Sequence, residues 1–254
     1  MAEAVAGAIS GATDWLTRQA YAHRGLHDSE IPENSLAAFA AAIERGLGIE
    51  CDLRVSADGR AMVFHDADIE RLTGQPGLTQ EKTVGELTAL TLGGTSETIP
   101  TLRDMLAMVA GRVPLLLELK TDRRESVHAL CRAVRRDIDG YTGELAVMSF
   151  DPRIGEWFAQ RMPDVVRGLV VTEENSRTVA GGVKRRLSVL HARPQFLAYD
   201  IRDLPSRFAS RQVKAGLALL TWTVRSAAQV ETAKAAGATP IAEGPGVAAW
   251  ESLA

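Results

Sequence analysis

The sequence predicts an α/β protein, a single (β/α)8 barrel, and three observations carry that expectation. Short apolar runs alternate eight times with segments of helical pattern. Most of these runs end in a polar or glycine-bearing loop, the end at which such barrels carry their chemistry. No linker, repeat or shift in composition divides the 254 residues, so residues 1–254 are expected to form one domain, with residues 69–100 as a short insertion.

Taken in order, the parallel strands are expected at residues 21–23, 48–53, 114–120, 145–150, 166–171, 195–200, 217–224 and 239–242. A ninth run, 61–65, breaks the alternation because it follows the second strand after only the short link Ser56-Ala57-Asp58-Gly59-Arg60. A parallel crossover needs a dozen or more residues, so this link makes an antiparallel hairpin, and Asp58-Gly59 supplies its turn. The hairpin would deliver His65 to the rim where the strands end. After the first strand, Asn34 or Ser35 can cap a helix running to Arg45, with Leu36, Phe39, Ala40 and Ile43 on one face and Gly46 at its end. Residues 101–110 and 125–137 are further amphipathic helices. Residues 69–100 are polar, rich in Gly and Thr and poor in aromatics, and read as a compact loop insertion near the mouth.

Composition excludes several classes of function. A formal net charge of -3 with scattered basic residues argues against nucleic acid and against an anionic membrane surface as partners. Cys51 and Cys131 are the only cysteines and form no CxxC pair, so neither a zinc ribbon nor a disulfide framework is expected. The first thirteen residues lack a basic region and a long aliphatic run, and no stretch approaches the ~20 apolar residues that cross a bilayer. A cytoplasmic protein without stable membrane insertion is the expectation; the oligomeric state is left open.

The chemistry concentrates between Ala22 and Asp66. Residues two apart on a strand share a face, so Glu50 pairs with Asp52, and Glu118 with Lys120. If those faces point inward, three carboxylates and an ammonium converge at the ends of adjacent strands. Like charges raise one another's pKa unless a cation is present, and oxygen donors suit a hard divalent ion, Mg²⁺ or Ca²⁺. His23 and His65 would flank that ion, one as base for an oxygen nucleophile and one as acid for a leaving alkoxide. Arg24 and Lys120 add fixed positive charge for a phosphate. Together these groups make a phosphodiester-cleaving site on chemical grounds.

His23-Arg24-Gly25, Pro32-Glu33-Asn34-Ser35, Glu50-Cys51-Asp52, Ser56-Ala57-Asp58-Gly59, His65-Asp66 and Glu118-Leu119-Lys120 follow one another in an order that resembles the glycerophosphodiester phosphodiesterase family. Ser149-Phe150 and Thr221-Trp222-Thr223-Val224 resemble its later motifs. The resemblance implies a TIM-type barrel that hydrolyses glycerophosphodiesters to sn-glycerol 3-phosphate and an alcohol with a divalent metal. It also implies roles: Glu50, Asp52 and Glu118 as metal ligands, His23 and His65 as the acid–base pair, Arg24 and Lys120 as phosphate contacts, and Trp222 as an aromatic wall for the substrate. Ser35 and Ser56 stand where the family usually has threonine, and Ala242-Glu243-Gly244-Pro245 stands in place of Thr-Asp-x-Pro, so Glu243 receives no role.

Blander readings compete at single positions. His27 reads as a solvated loop imidazole, His128 and His191 as surface residues, and Cys51 and Cys131 as small apolar packers. Arg123-Arg124, Arg135-Arg136 and Lys184-Arg185-Arg186 read as solvated faces. Tyr199 and Asp200 either touch substrate or merely bond a loop. Trp222 alternates with Thr221 and Thr223, which favours a mouth-facing wall over core, and carboxylate neighbours would keep Lys120 protonated rather than free for Schiff-base chemistry. At the level of function, two alternatives share this barrel: a lysophospholipase D or another phosphodiesterase, which would need an apolar patch or extended loop at the mouth to receive an acyl chain, and a non-catalytic phosphodiester-binding module.

Overall fold

The structure, a computed structural model, describes residues 13–122 and 126–253. The start of the chain, Arg123-Arg124 and the first residue of the helix expected at 125–137 lie outside the described residues. The strands are β1 (Tyr21–Ala22), β2 (Gly48–Val55), β3 (Ala61–Val63), β4 (Leu115–Leu119), β5 (Leu145–Ser149), β6 (Val166–Val171), β7 (Phe196–Asp200), β8 (Ala218–Val224) and β9 (Thr239–Ala242). They form one sheet in the order β1-β9-β8-β7-β6-β5-β4-β2-β3, with β1 also paired to β2. The eight strands other than β3 therefore close on themselves, and β3 pairs antiparallel to β2 outside them, which is the expected (β/α)8 barrel with an extra hairpin strand. Between the strands run α1 (Leu36–Glu44), α2 (Glu70–Thr73), α3 (Val84–Thr88), α4 (Leu102–Val109), α5 (Val127–Ile138), α6 (Pro152–Arg161), α7 (Val179–Ala192), α8 (Arg207–Lys214), α9 (Ala227–Ala235) and α10 (Pro245–Leu253).

Two compact units divide these elements, residues 24–145 and the remainder. In the first, every residue of β2 is buried, so polarity alone does not tell its two faces apart. The contact that does is Cys51 Sγ, 3.5 Å from Met105 Sδ on α4. Cys51 faces the helical layer, and alternation turns Glu50 and Asp52 the other way. Register places Asp52 beside Glu118 on β4. The hairpin turns where expected: Gly59 adopts φ +75°, which glycine reaches without Cβ strain, and Ser56 N–H donates to Arg60 O.

One expectation in this unit is narrowed and another needs correction. Ser35, not Asn34, caps α1: its Oγ accepts from Ala38 N–H at 3.1 Å, while Asn34 turns to Asp52. The insertion is not simply polar. Ile69, Leu87, Leu92 and Ile99 bury against Met62 and Phe64 as a small apolar core, and the capping box Thr83/Glu86 starts α3 within it. Its apolar residues are spaced without a period, because short turns rather than one long helix bring them together.

In the second unit, β5 through β8 lead into helices that begin in hydrogen-bonded caps. Asp200 accepts from Arg202 N–H, and Tyr199 Oη donates to Glu173 Oε1 at 2.5 Å, so both residues bond loops. Ser206 caps α8 and donates to the same Glu173 oxygen at 2.8 Å. The solvated reading of Lys184-Arg185-Arg186 fails at its centre: Arg185 is half-buried, 3.2 Å from Glu173 and stacked over the Phe208 ring. His191 and His128 are exposed as expected, the former against Glu156, and both cysteines are buried.

Candidate active site

The centre of the first unit is acidic and buried. Glu50, Asp52 and Glu118 are 1, 1 and 7% exposed, and one oxygen from each lies within 4.8 Å of the others. Lys120 Nζ stands 2.7 Å from Glu118 Oε1 and 3.1 Å from Asp52 Oδ1. Arg24 approaches from the first strand's loop. Its backbone N–H donates to Glu50 Oε2 at 3.0 Å, and its Nε lies 3.2 Å from Asp52 Oδ2. Arg24 reaches this position at φ +55°, in the left-handed region, a conformation that costs energy and is held here by contacts on both sides.

Charge in this cluster is only partly matched. Burial first, and then the Asp52 and Glu118 carboxylates, push the Glu50 carboxyl well above its usual range. Burial works against the Lys120 ammonium, yet Glu118 and Asp52 outweigh it and hold its pKa above the ordinary lysine value. Among the described residues, Glu50 Oε1 is buried and accepts no hydrogen bond. A buried carboxylate oxygen without a donor is costly, and a cation is the natural compensation. Three converging oxygen donors fit a hard divalent ion, so the donor set and the orphaned oxygen agree on what the cluster would hold.

His65 is oriented from behind. Its carbonyl accepts from Arg54 Nε at 2.7 Å, and its Nδ1 lies 2.6 Å from Asp66 Oδ1. Asp66 accepts in turn from Arg71 Nε at 2.5 Å; Arg71 donates to Glu33 at 2.7 Å, and Glu33 accepts from Arg24 at 2.8 Å. Burial would raise the Asp66 and Glu33 carboxyls, but Arg71 and their other partners pull both below the usual range, so the chain of charges stays ionised. With Nδ1 committed to Asp66, Nε2 is the nitrogen left to exchange a proton. Asn34, buried at φ +56°, donates Nδ2–H to Asp52 Oδ2 at 3.1 Å and accepts from Asp52 N–H at 3.2 Å. Sequence reasoning passed over that role because an asparagine before a helix already satisfies the capping rule. His27 is half-buried rather than solvated.

In the second unit, His23 continues β1: its N–H donates to Ala242 O at 2.8 Å. Its Nδ1 lies 2.6 Å from Glu243 Oε2, and Arg225 Nε donates to Glu243 Oε1 at 2.5 Å. Glu243 is the functional candidate the sequence left without a role. The one signal was its place in a motif that usually carries Asp. Trp222 donates Nε1–H to Ala198 O at 2.9 Å and meets the exposed Phe150 ring edge-on at 5.4 Å. Of the residues expected in the site, Glu50, Asp52, Glu118, Lys120 and Arg24 contact one another directly, and His65 joins them through Asp66, Arg71 and Glu33. His23 is joined to that group by its peptide bond to Arg24.

The chain resembles known proteins throughout its length. YhdW of Bacillus subtilis is 25% identical over 218 residues, which span 81% of this chain and 85% of that protein. The glycerophosphodiester phosphodiesterase of Caldanaerobacter subterraneus is 34% identical over 108 residues, but the match spans only 44% of that relative's length. Among solved structures, an Oleispira antarctica phosphodiesterase in complex with the product sn-glycerol-3-phosphate has the same fold, with a TM-score of 0.82 at 22% identity over 95% of this chain and 98% of that one. The glycerophosphodiester phosphodiesterase of Thermotoga maritima superposes with a TM-score of 0.72 at 25% identity, covering 93% and 98% of the two chains. The profile of the Glycerophosphoryl diester phosphodiesterase family matches residues 23–243, and the chain belongs to that family.

Proposed function

We propose that the protein is a single-domain, metal-dependent hydrolase that cleaves glycerophosphodiesters to sn-glycerol 3-phosphate and an alcohol. The observation that carries this reading is the buried trio Glu50, Asp52 and Glu118 with its undonated oxygen, in a chain whose family acts on such diesters. The trio would hold the divalent ion, Mg²⁺ or Ca²⁺, whose chemistry is to offset negative charge on the phosphoryl oxygens. Arg24 and Lys120 add fixed cations that orient the phosphate beside it. One imidazole of the His23/His65 pair takes the proton of the attacking oxygen, and the other gives a proton to the departing alkoxide. Glu243 and Asp66 each hold a ring by Nδ1, which supports this division of labour. Trp222 supplies a flat apolar wall for the glycerol.

The decisive assay follows release of glycerol 3-phosphate from a panel of glycerophosphodiesters, with Mg²⁺ and Ca²⁺ compared. Turnover that chelation abolishes and either ion restores is the expected result. Binding without turnover would instead assign the chain a purely recognising role. Transient cyclic glycerol phosphate would identify the neighbouring glycerol hydroxyl as nucleophile, and its absence in rapid-quench samples would identify water. A second reading, cleavage of lysophospholipids, gains some support from one cavity of about 280 Å³ beside Phe150, which Leu169, Val170 and Val171 line together with the charged Glu174, Lys184 and Arg185. Lysophosphatidylcholine belongs in the same panel for that reason.

A further inference from the structure

Helix α7 is mounted in the opposite sense to a helix that covers a barrel. Its buried residues are the small Gly181 and Ala192, and Gly155 of α6 lies so near Ala192 that a Cβ there would meet its carbonyl at 2.6 Å. Four of its five large aliphatic side chains point to solvent instead, Val189 being half-buried. Val179, Val183, Leu187 and Leu190 are 88, 48, 59 and 73% exposed. Their spacing of four, four and three residues makes them one continuous stripe. Four large aliphatics aligned in water forgo the burial that ordinarily fixes a helix, which marks the stripe as a docking face.

The edge of the stripe is cationic. Arg186, three residues from Val183 and four from Leu190, borders it and opens into a groove of about 590 Å³. Six arginines line that groove against two carboxylates, Glu173 and Asp203. Both carboxylates are already engaged, Glu173 by Arg185 at 3.2 Å and Asp203 by Arg177 at 2.8 Å. Among the described residues Arg186, Arg207 and Arg211 have no ion-pair partner, in a chain whose formal net charge is -3.

We propose that α7 and this groove dock the protein on an anionic lipid surface. The stripe enters the interfacial region, and Arg186, Arg207 and Arg211 meet lipid phosphates at its border. At 14 residues the helix is too short to span a bilayer, so it lies in the plane of the surface. A second copy of the chain fits this face less well, because a two-fold contact would set the arginine groove beside its own duplicate. The inference is independent of the hydrolytic reading.

Co-sedimentation of the whole chain with vesicles tests it, using equimolar phosphatidylcholine and phosphatidylglycerol against phosphatidylcholine alone. Binding to the anionic vesicles should exceed binding to the neutral ones by at least about tenfold at low salt and fall as salt rises. Arg207→Gln and the double variant Arg207→Gln/Arg211→Gln should weaken it by about fivefold per arginine. Leu187→Ser/Leu190→Ser should abolish it while leaving cleavage of a free glycerophosphodiester unchanged. These side chains are exposed, so the variants retain the fold. Equal binding to both vesicle types, binding to neither, or undiminished binding of the leucine variant would overturn the proposal. So would a dimer in the ultracentrifuge that the leucine variant returns to monomer, which would assign the stripe to a second copy.

Discussion

The chain gathers like charge in two places, and the two are built on opposite terms. Around Asp52 three carboxylates are buried, and the cations beside them, Lys120 and Arg24, are fixed at hydrogen-bonding distances. Along the groove beside α7, arginines converge on a largely exposed surface, three of them without an ion-pair partner among the described residues. Burial decides what each arrangement can do. Charge withdrawn from water interacts strongly, so one unmatched oxygen is enough to call for an ion. Charge left in water is screened, so attraction there arises only collectively and fades with salt. Salt and chelation should therefore separate the two regions: chelation disables the first and spares the second, and salt does the reverse.

The largest effect that could break this contrast is loss of a buried ligand. Asp52→Ala should lower hydrolysis on the order of a thousandfold or more and remove divalent-ion binding by calorimetry. It deletes an oxygen donor together with the partner of Asn34, Arg24 and Lys120. His65→Ala comes next, with a fall of about a hundredfold to a thousandfold in kcat and intact ion binding. Glu243→Gln should cost about tenfold to a hundredfold by loosening the His23 ring. The pH–rate profile should change as well, and Glu243→Asp should recover part of the loss; an unchanged profile would show that Glu243 only packs.

The smallest effect is on stability, and it sharpens the contrast most. A carboxyl whose folded pKa lies above its unfolded value near 4.5 contributes stability that is complete at lower pH and disappears as pH rises through the folded value. Glu50 is such a group. Metal-free protein should thus lose melting temperature relative to a Glu50→Gln variant as pH climbs from about 4.5 toward neutrality. Added divalent ion should raise the melting temperature of the wild type and leave that of the variant nearly unmoved. Parallel pH curves for the two proteins would mean that Glu50 is already compensated by its neighbours.

The barrel was legible because its strands announce themselves. Eight apolar runs of strand length survive as β1, β2 and β4 to β9 with boundaries shifted by two residues or fewer, and Asp58-Gly59 revealed β3. Alternation alone paired Glu50 with Asp52, because a strand has only two faces. Contacts that close over long stretches of chain were not legible. His23 and Glu243 stand 220 residues apart, and nothing local to either names the other. Asn34 concealed its contact with Asp52 because an asparagine before a helix reads as a cap, a role that Ser35 takes instead. The spacing of Val179, Val183, Leu187 and Leu190 reads as a buried face, and only the small residues opposite turn it outward. Net charge likewise averages away a local excess of arginine, which is why the chain-wide value argues against a surface that the α7 groove invites.

The insertion's Arg71 grips both Asp66 and Glu33, so this segment is wired into the placement of the His65 ring. Exchanging residues 69–100 for the corresponding loop of a relative should therefore also shift the His65 ring. A graft that keeps the arginine and its two acceptors in place should leave that ring where it stands.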